Sequence, residues 1–210
     1  MMNIRKKKNS SETGAKKLTL PAKGPGCSFS GMIMPISNPD RRFAYRQVSS
    51  QPAEVSRFSV GDIEVDTVAV PHDAEEPVAY SIRHNGIKVT QLTDLGWIPD
   101  HVSDSLKGTD VLILESNHDL DMLRMGPYPW SLKERLMGRR GHLSNAAVAR
   151  FLGGAWDGRA RHIVLAHLSS KNNHPELARE VALHALRERG SETRLSLASQ
   201  DAPGPILEVG

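Results

Sequence analysis

The stretch Asp110-Val111-Leu112-Ile113-Leu114-Glu115-Ser116-Asn117-His118-Asp119 decides how this chain is read. Asp110 to Leu114 is a short apolar strand. It runs straight into a glutamate, an asparagine, a histidine and an aspartate. Loops at strand ends commonly carry function, because a rigid sheet positions them. The question is whether neighbouring strands end the same way.

They do. Upstream, Ile63 to Val70 reads as a strand that ends in Val70-Pro71-His72-Asp73. Val78 to His84 and Ile87 to Leu92 read as two more, joined by Asn85-Gly86, the strongest short hairpin signal. The second of these ends in Thr93-Asp94-Leu95-Gly96. Downstream, His162 to Ala166 is a buried-type strand that ends in His167-Leu168-Ser169. Between them Leu143 to Leu152 predicts a helix, with Ala147, Val148, Phe151 and Leu152 on one face and Ser144 as its cap. Pro175 opens another helix, Glu176 favours its positive end and Gly190 stops it. Arg194 to Ala198 is a last strand. Strands first, then strands alternating with helices, imply a layered α/β or α+β domain.

Four strands ending in histidine or carboxylate are what a metal site needs. Imidazole and carboxylate suit zinc, manganese or iron, and a single cysteine, Cys27, excludes a thiolate site. Taken singly, each residue has a plainer reading. A histidine after a strand is often a hydrogen-bonded structural residue, Asp94 before Leu95-Gly96 a turn former, and Glu115 a buried acid paired with an arginine. Only the joint pattern favours a site.

Composition sets the outer limits. At 210 residues, 39% hydrophobic and 24% charged, the chain has the make-up of an ordinary soluble domain. No run of about 18 apolar residues is present to span a membrane. The basic start lacks the apolar core of a secretory signal. One cysteine rules out an internal disulfide framework and fits a reducing cytoplasm, so a cytoplasmic protein is expected. The net charge of +3 hides an asymmetry: residues 1–23 carry +6 and the remainder −3. A basic tail of this kind is a candidate nucleic-acid contact, although a solvated end is the commoner case. From Met1 to about Pro52, Pro21, Gly24, Pro25, Gly26, Pro35 and Pro39 break every short apolar run, Met32-Ile33-Met34 included. Residues 1–54 therefore read as an irregular segment and 55–210 as the folded domain.

With those blocks in view, the region from about Val55 to Glu208 resembles the C-terminal part of a metallo-β-lactamase-fold hydrolase. More narrowly it is similar to the YycJ/WalJ-type metal-dependent phosphodiesterases that act as DNA exonucleases. The resemblance rests on Val70 to Ala74, Thr93 to Gly96, Leu114 to Asp119, Gly126-Pro127-Tyr128-Pro129-Trp130, Leu132-Lys133, Gly141 to Asn145, Ala166 to Ser169 and Ala198 to Asp201, in order and at the expected spacing. It implies an α+β fold, the αββα sandwich of that family, present here as its second half only. It implies two divalent metals, zinc or manganese, with His72 a ligand of the first, His167 of the second, and Asp94 the catalytic carboxylate bridging both. It also puts His118, Lys133 and His142 near the cleft, in contact with substrate or supporting the ligands. A nucleic acid is the implied substrate.

One departure matters. The family's first half carries a His-x-His-x-Asp-His motif, and no histidine precedes His72 here. The metals are then expected to be weakly held in this chain, and the upstream DNA is expected to encode the motif. Two other readings stay open: an inactive fragment or pseudoenzyme with a nucleic-acid-binding tail, and the same fold acting on a thioester, a lactam or RNA.

Overall fold

Asn85 and Gly86 adopt positive φ angles of 50° and 74°, as the two-residue turn of a hairpin requires if its twist is to match the strands. In the computed structural model, which describes residues 56–209 and the backbone of 3–5 and 18–19, that hairpin sits within a seven-stranded sheet. Its strands are β3 (Ser56–Val60), β4 (Ile63–Ala69), β5 (Val78–His84), β6 (Ile87–Leu92), β7 (Val111–Glu115), β8 (His162–Ala166) and β9 (Arg194–Leu197), in that spatial order. Strands β3 to β6 pair antiparallel and β6 to β9 parallel. A smaller sheet joins β1 (Asn3–Arg5) to β2 (Leu18–Thr19) and to β10 (Leu207–Glu208).

Parallel neighbours need crossovers, and helices supply them. Helix α1 (Asp100–Ser105) links β6 to β7. Helices α2 (Leu120–Met125), α3 (Trp130–Met137) and α4 (Asn145–Gly153) lie between β7 and β8, and α5 (Pro175–Glu188) between β8 and β9. Two antiparallel steps separate β4 from β6, so β4 runs in the same direction as β6, β7 and β8. The chain therefore leaves all four strands at one edge of the sheet. His72, Asp94, Glu115 and His167 are brought to that edge by topology alone.

Val68, Leu92, Leu112, Leu114, Ile163 and Leu165 bury one sheet face against Val148, Phe151 and Leu152 of α4 and Ala178, Ala182 and Leu186 of α5. Each fully buried leucine contributes about 2 kcal/mol by its removal from water. On the opposite face Val89, Val111 and Val164 meet Leu207 and Val209. Burial on both faces is why β7 and β8 read as unbroken apolar runs. Across that second face the register aligns Phe58, Val65, Ile82, Val89 and Val111. The row is buried at its centre but open at its edge, where Phe58 is 40% exposed and Val60 46%. Of the layers of an αββα sandwich, the described residues form one helical layer and one large sheet. Among them no helix is long and apolar enough to cross a membrane.

The expected strands fall within a residue or so of the observed ones. Ser144 caps α4 by accepting from the Ala147 amide at 3.2 Å, and Gly190 follows α5 at φ 70°. Strand β3 and helices α1 to α3 were not expected. The helices are six to eight residues long, too short for a helical period to emerge, and are held by tertiary contacts. Lys88, for example, donates to the carbonyls of Ser105 and Lys107 and closes the end of α1. The irregular reading of residues 1–54 lies outside the described residues, apart from the short strands β1 and β2.

Candidate metal centre

Asp94 and His167 both take left-handed backbone conformations, with φ of 62° and 56°. Such strain in non-glycine residues concentrates where the surroundings over-determine it. Here neighbouring loops do so. Asn117 Nδ2 donates to the His167 carbonyl at 2.9 Å, and the Ser169 amide to the Asn117 carbonyl at 2.8 Å. Behind them Ser116, Asn145 and Asn173 form a buried hydrogen-bonded set at 2.7–3.0 Å.

Three imidazoles converge on Asp94 Oδ1. His167 Nε2 lies 3.7 Å away, His72 Nε2 4.0 Å and His142 Nδ1 4.0 Å. These separations are too long for hydrogen bonds. Donors around a tetrahedral cation with bonds of about 2.1 Å lie about 3.4 Å apart, so the approaches of His167 and His72 Nε2 suit an ion held between them and Asp94, whereas Nδ1 of His142 faces Glu115.

The tautomers follow from the partners. His72 Nδ1 sits 3.0 Å from the Gly141 carbonyl, which can only accept, so Nδ1 carries the proton. His142 Nδ1 and His167 Nδ1 both lie 2.6 Å from Glu115 Oε1, again an acceptor. His72 and His167 therefore turn Nε2, not Nδ1, toward Asp94. Asp73, 3.5 Å from His72 Nε2, is engaged by Arg135, which holds its carboxyl below the usual range.

Glu115 is fully buried. Its Oε2 accepts from the Leu95 and Leu143 amides at 3.2 and 3.3 Å. Burial pushes its carboxyl up, but the hydrogen bonds and charge of the two imidazoles outweigh this and hold it below its ordinary value. Donor atoms of Asp94, Glu115, His142 and His167 lie within 4.8 Å of one another. With four hydrogen bonds already accepted, Glu115 acts as the acceptor that orients the histidines rather than as a ligand. The plainer reading of Glu115 as an arginine's partner is corrected: its partners are histidines and backbone amides. A charge at the end of an all-apolar strand was the available signal, since it must be compensated where it is buried.

His142 joins the cluster, its ring 5.0 Å from that of His72 and 5.2 Å from that of His167. Lys133 and His118 do not. Lys133 is buried and its Nζ donates to the Arg124 carbonyl at 2.7 Å. His118, 1% exposed, has no hydrogen-bond partner on either ring nitrogen among the described residues. Both side chains are buried.

Burial lowers His118 to about 4, with Glu115 opposing the shift. The unfolded chain binds a proton here near pH 6.5 and the folded chain does not. Stability is therefore lost as pH falls from about 6.5 toward 4, by about 2 kcal/mol at pH 5. In metal-free protein, His118→Leu is expected to shrink the drop in melting temperature between pH 7.5 and pH 5. An unchanged drop would show that His118 titrates normally.

The donor types fit zinc or manganese. Among the described residues their number falls short of two complete sets, because three imidazoles and one carboxylate leave each of two cations below the three protein ligands usual at a catalytic zinc.

Comparisons with known proteins agree with this chemistry. The sequence profile of the β-lactamase superfamily domain matches residues 34–168, beginning ahead of the change in character near residue 55. The chain is 38% identical over 178 residues to exodeoxyribonuclease YycJ of Bacillus anthracis, an overlap covering 84% of this chain and 65% of that protein. It is 33% identical over 153 residues to exodeoxyribonuclease WalJ of Streptococcus pneumoniae, covering 71% and 57%. The chain thus spans less than two thirds of the length of these relatives. Among solved structures, the metallo-β-lactamase fold protein YhfI from Bacillus subtilis superposes with a TM-score of 0.51 at 16% identity, over 69% of this chain and 50% of that one. That likeness is one of fold alone.

Proposed function

The chain belongs to the metallo-β-lactamase superfamily and is a homologue of the YycJ/WalJ exodeoxyribonucleases, and from that premise we propose that it carries the bridging-carboxylate half of a two-metal phosphodiesterase site that degrades DNA from an end. The observation that supports this reading best is the approach of His72 and His167 Nε2 to Asp94 Oδ1, at 4.0 and 3.7 Å. In this reading His72 holds the first metal and His167 the second. Asp94 would be shared by both, since a carboxylate has two oxygens to offer. Zinc or manganese bound there supplies an acidified water and positive charge for the phosphate oxygens.

The chain's own residues set the geometry. Glu115 fixes the ring orientation of His167 and His142 through their Nδ1 protons. His142 is left to contact the phosphate through its other nitrogen. Residues 55–210 form the second half of the domain, and the missing ligands come from a His-x-His-x-Asp-His segment that this chain does not contain.

Reconstitution tests the reading. The chain is combined with the histidine-rich half of a relative, and manganese- or zinc-dependent release of nucleotides from linear DNA is followed. Release by the pair, and almost none by either part, is expected. Intact DNA alongside hydrolysis of a thioester or a lactam would move the substrate class. A pair that binds no metal and hydrolyses nothing would leave an inactive fragment as the account.

A further inference from the structure

Trp97 stands three residues beyond Asp94, on the loop that leaves β6, and is 39% exposed. The guanidinium carbon of Arg139 lies 4.1 Å from its ring centroid. The next residue, Arg140, donates from Nε to the carbonyl of His72 at 3.2 Å. Both arginines are exposed, and no carboxylate among the described residues pairs with either.

The group is built onto the rim of the metal centre. The Gly96 amide donates to the Pro71 carbonyl at 3.1 Å. A Cβ on Gly96 would lie 2.3 Å from the Gly138 carbonyl oxygen. Such an approach is open only to glycine, and it locks the Trp97 loop against the Gly138–Gly141 turn that also holds His72. An indole buried for packing would be covered, and an arginine held for stability would find an acid. Here a part-open aromatic face and two guanidinium groups without a carboxylate partner among the described residues lie together beside the metal centre. A π face takes a base of any sequence, and a guanidinium takes a phosphate while stacking on the ring.

We propose that Trp97 and Arg139 stack a nucleobase of single-stranded DNA beside the metal centre, with Arg140 neutralising the phosphate between that base and the scissile one. The site then favours a frayed or single-stranded end over a closed duplex. This rests on the nuclease reading and names the form of DNA it takes.

The test measures anisotropy of a labelled single-stranded thymidine oligonucleotide titrated with the full chain in EDTA, which separates binding from hydrolysis. Trp97→Ala is expected to weaken binding about ten-fold, and Trp97→Phe to keep most of it. Arg139→Ala should weaken it and lower the log–log salt slope by about 0.7. A blunt duplex of equal length should bind more weakly and lose little in any variant. Trp97→Phe and Arg139→Ala alter exposed groups, so they decide the matter even if the alanine at 97 unfolds the loop. Binding by Trp97→Ala or Arg139→Ala equal to wild type, with unchanged melting, would overturn the platform. Equal losses for strand and duplex would do so too. If the reconstituted pair still degrades DNA in that case, the nuclease reading stands and only the platform falls. If the wild-type chain binds no DNA and the pair degrades none, both fall.

Discussion

Asp94→Asn is expected to lower metal-dependent DNA hydrolysis by the reconstituted site about a thousand-fold, roughly 4 kcal/mol of barrier, with the fold left intact. The fold survives because asparagine tolerates the left-handed conformation at φ 62° as aspartate does. What changes is charge. An amide offers one weakly coordinating oxygen, so the link between the two cations weakens and the water they acidify becomes less acidic. His167→Ala should impair one metal in particular and be partly rescued by excess metal. His84→Ala is the control: His84 lies at the hairpin, 3.2 Å from the Asp62 carbonyl, remote from the strand ends that build the cluster. Near-normal hydrolysis by Asp94→Asn together with loss in His84→Ala would sink the assignment.

Glu115→Gln is expected to cost about 3–5 kcal/mol of stability, read as a fall in melting temperature of about 10 °C for a domain of this size. It should also weaken zinc binding about 10- to 100-fold. The carboxylate accepts from two imidazoles on Oε1 and two backbone amides on Oε2. A glutamine must turn its NH2 toward one of those pairs, which sets donor against donor around a fully buried side chain. The pH dependence has a definite sign. Because the folded carboxyl is held below its unfolded value of 4.5, its contribution is complete above about pH 4.5 and is lost as pH falls through the folded value. The glutamine variant should therefore be less stable at pH 7 but lose less stability on acidification. A variant as stable as wild type at pH 7, with unchanged zinc affinity, would remove Glu115 from this account.

Much of the fold was legible because its strongest elements obey local rules. The Asn85-Gly86 turn needs positive φ, β7 and β8 are buried on both faces, and Ser144 and Pro175 mark helix starts. The short helices α1 to α3 were not legible, since six to eight residues carry too little periodicity. The site was legible in part. His72, Asp94 and His167 follow co-directional strands, so the topology that joins them could be anticipated. His142 follows no strand, and it reaches the cluster through a turn packed against Gly96. Nothing local in the sequence marks that contact. Lys133 and His118 match family blocks, yet one binds the end of a helix and the other is enclosed. Their residue type suggested chemistry, and nothing local in the sequence marks their burial.

Whether the strand ends around Asp94 hold a metal is decided by where zinc binds in the crystal. The most direct measurement is an anomalous difference map, at the zinc edge, from crystals of this chain equilibrated with saturating zinc. A peak is expected about 2.0–2.2 Å from an Asp94 carboxylate oxygen and from Nε2 of His167 or His72, with Glu115 still holding its imidazoles. Zinc found only elsewhere, with no peak at Asp94, would contradict the metal-centre assignment.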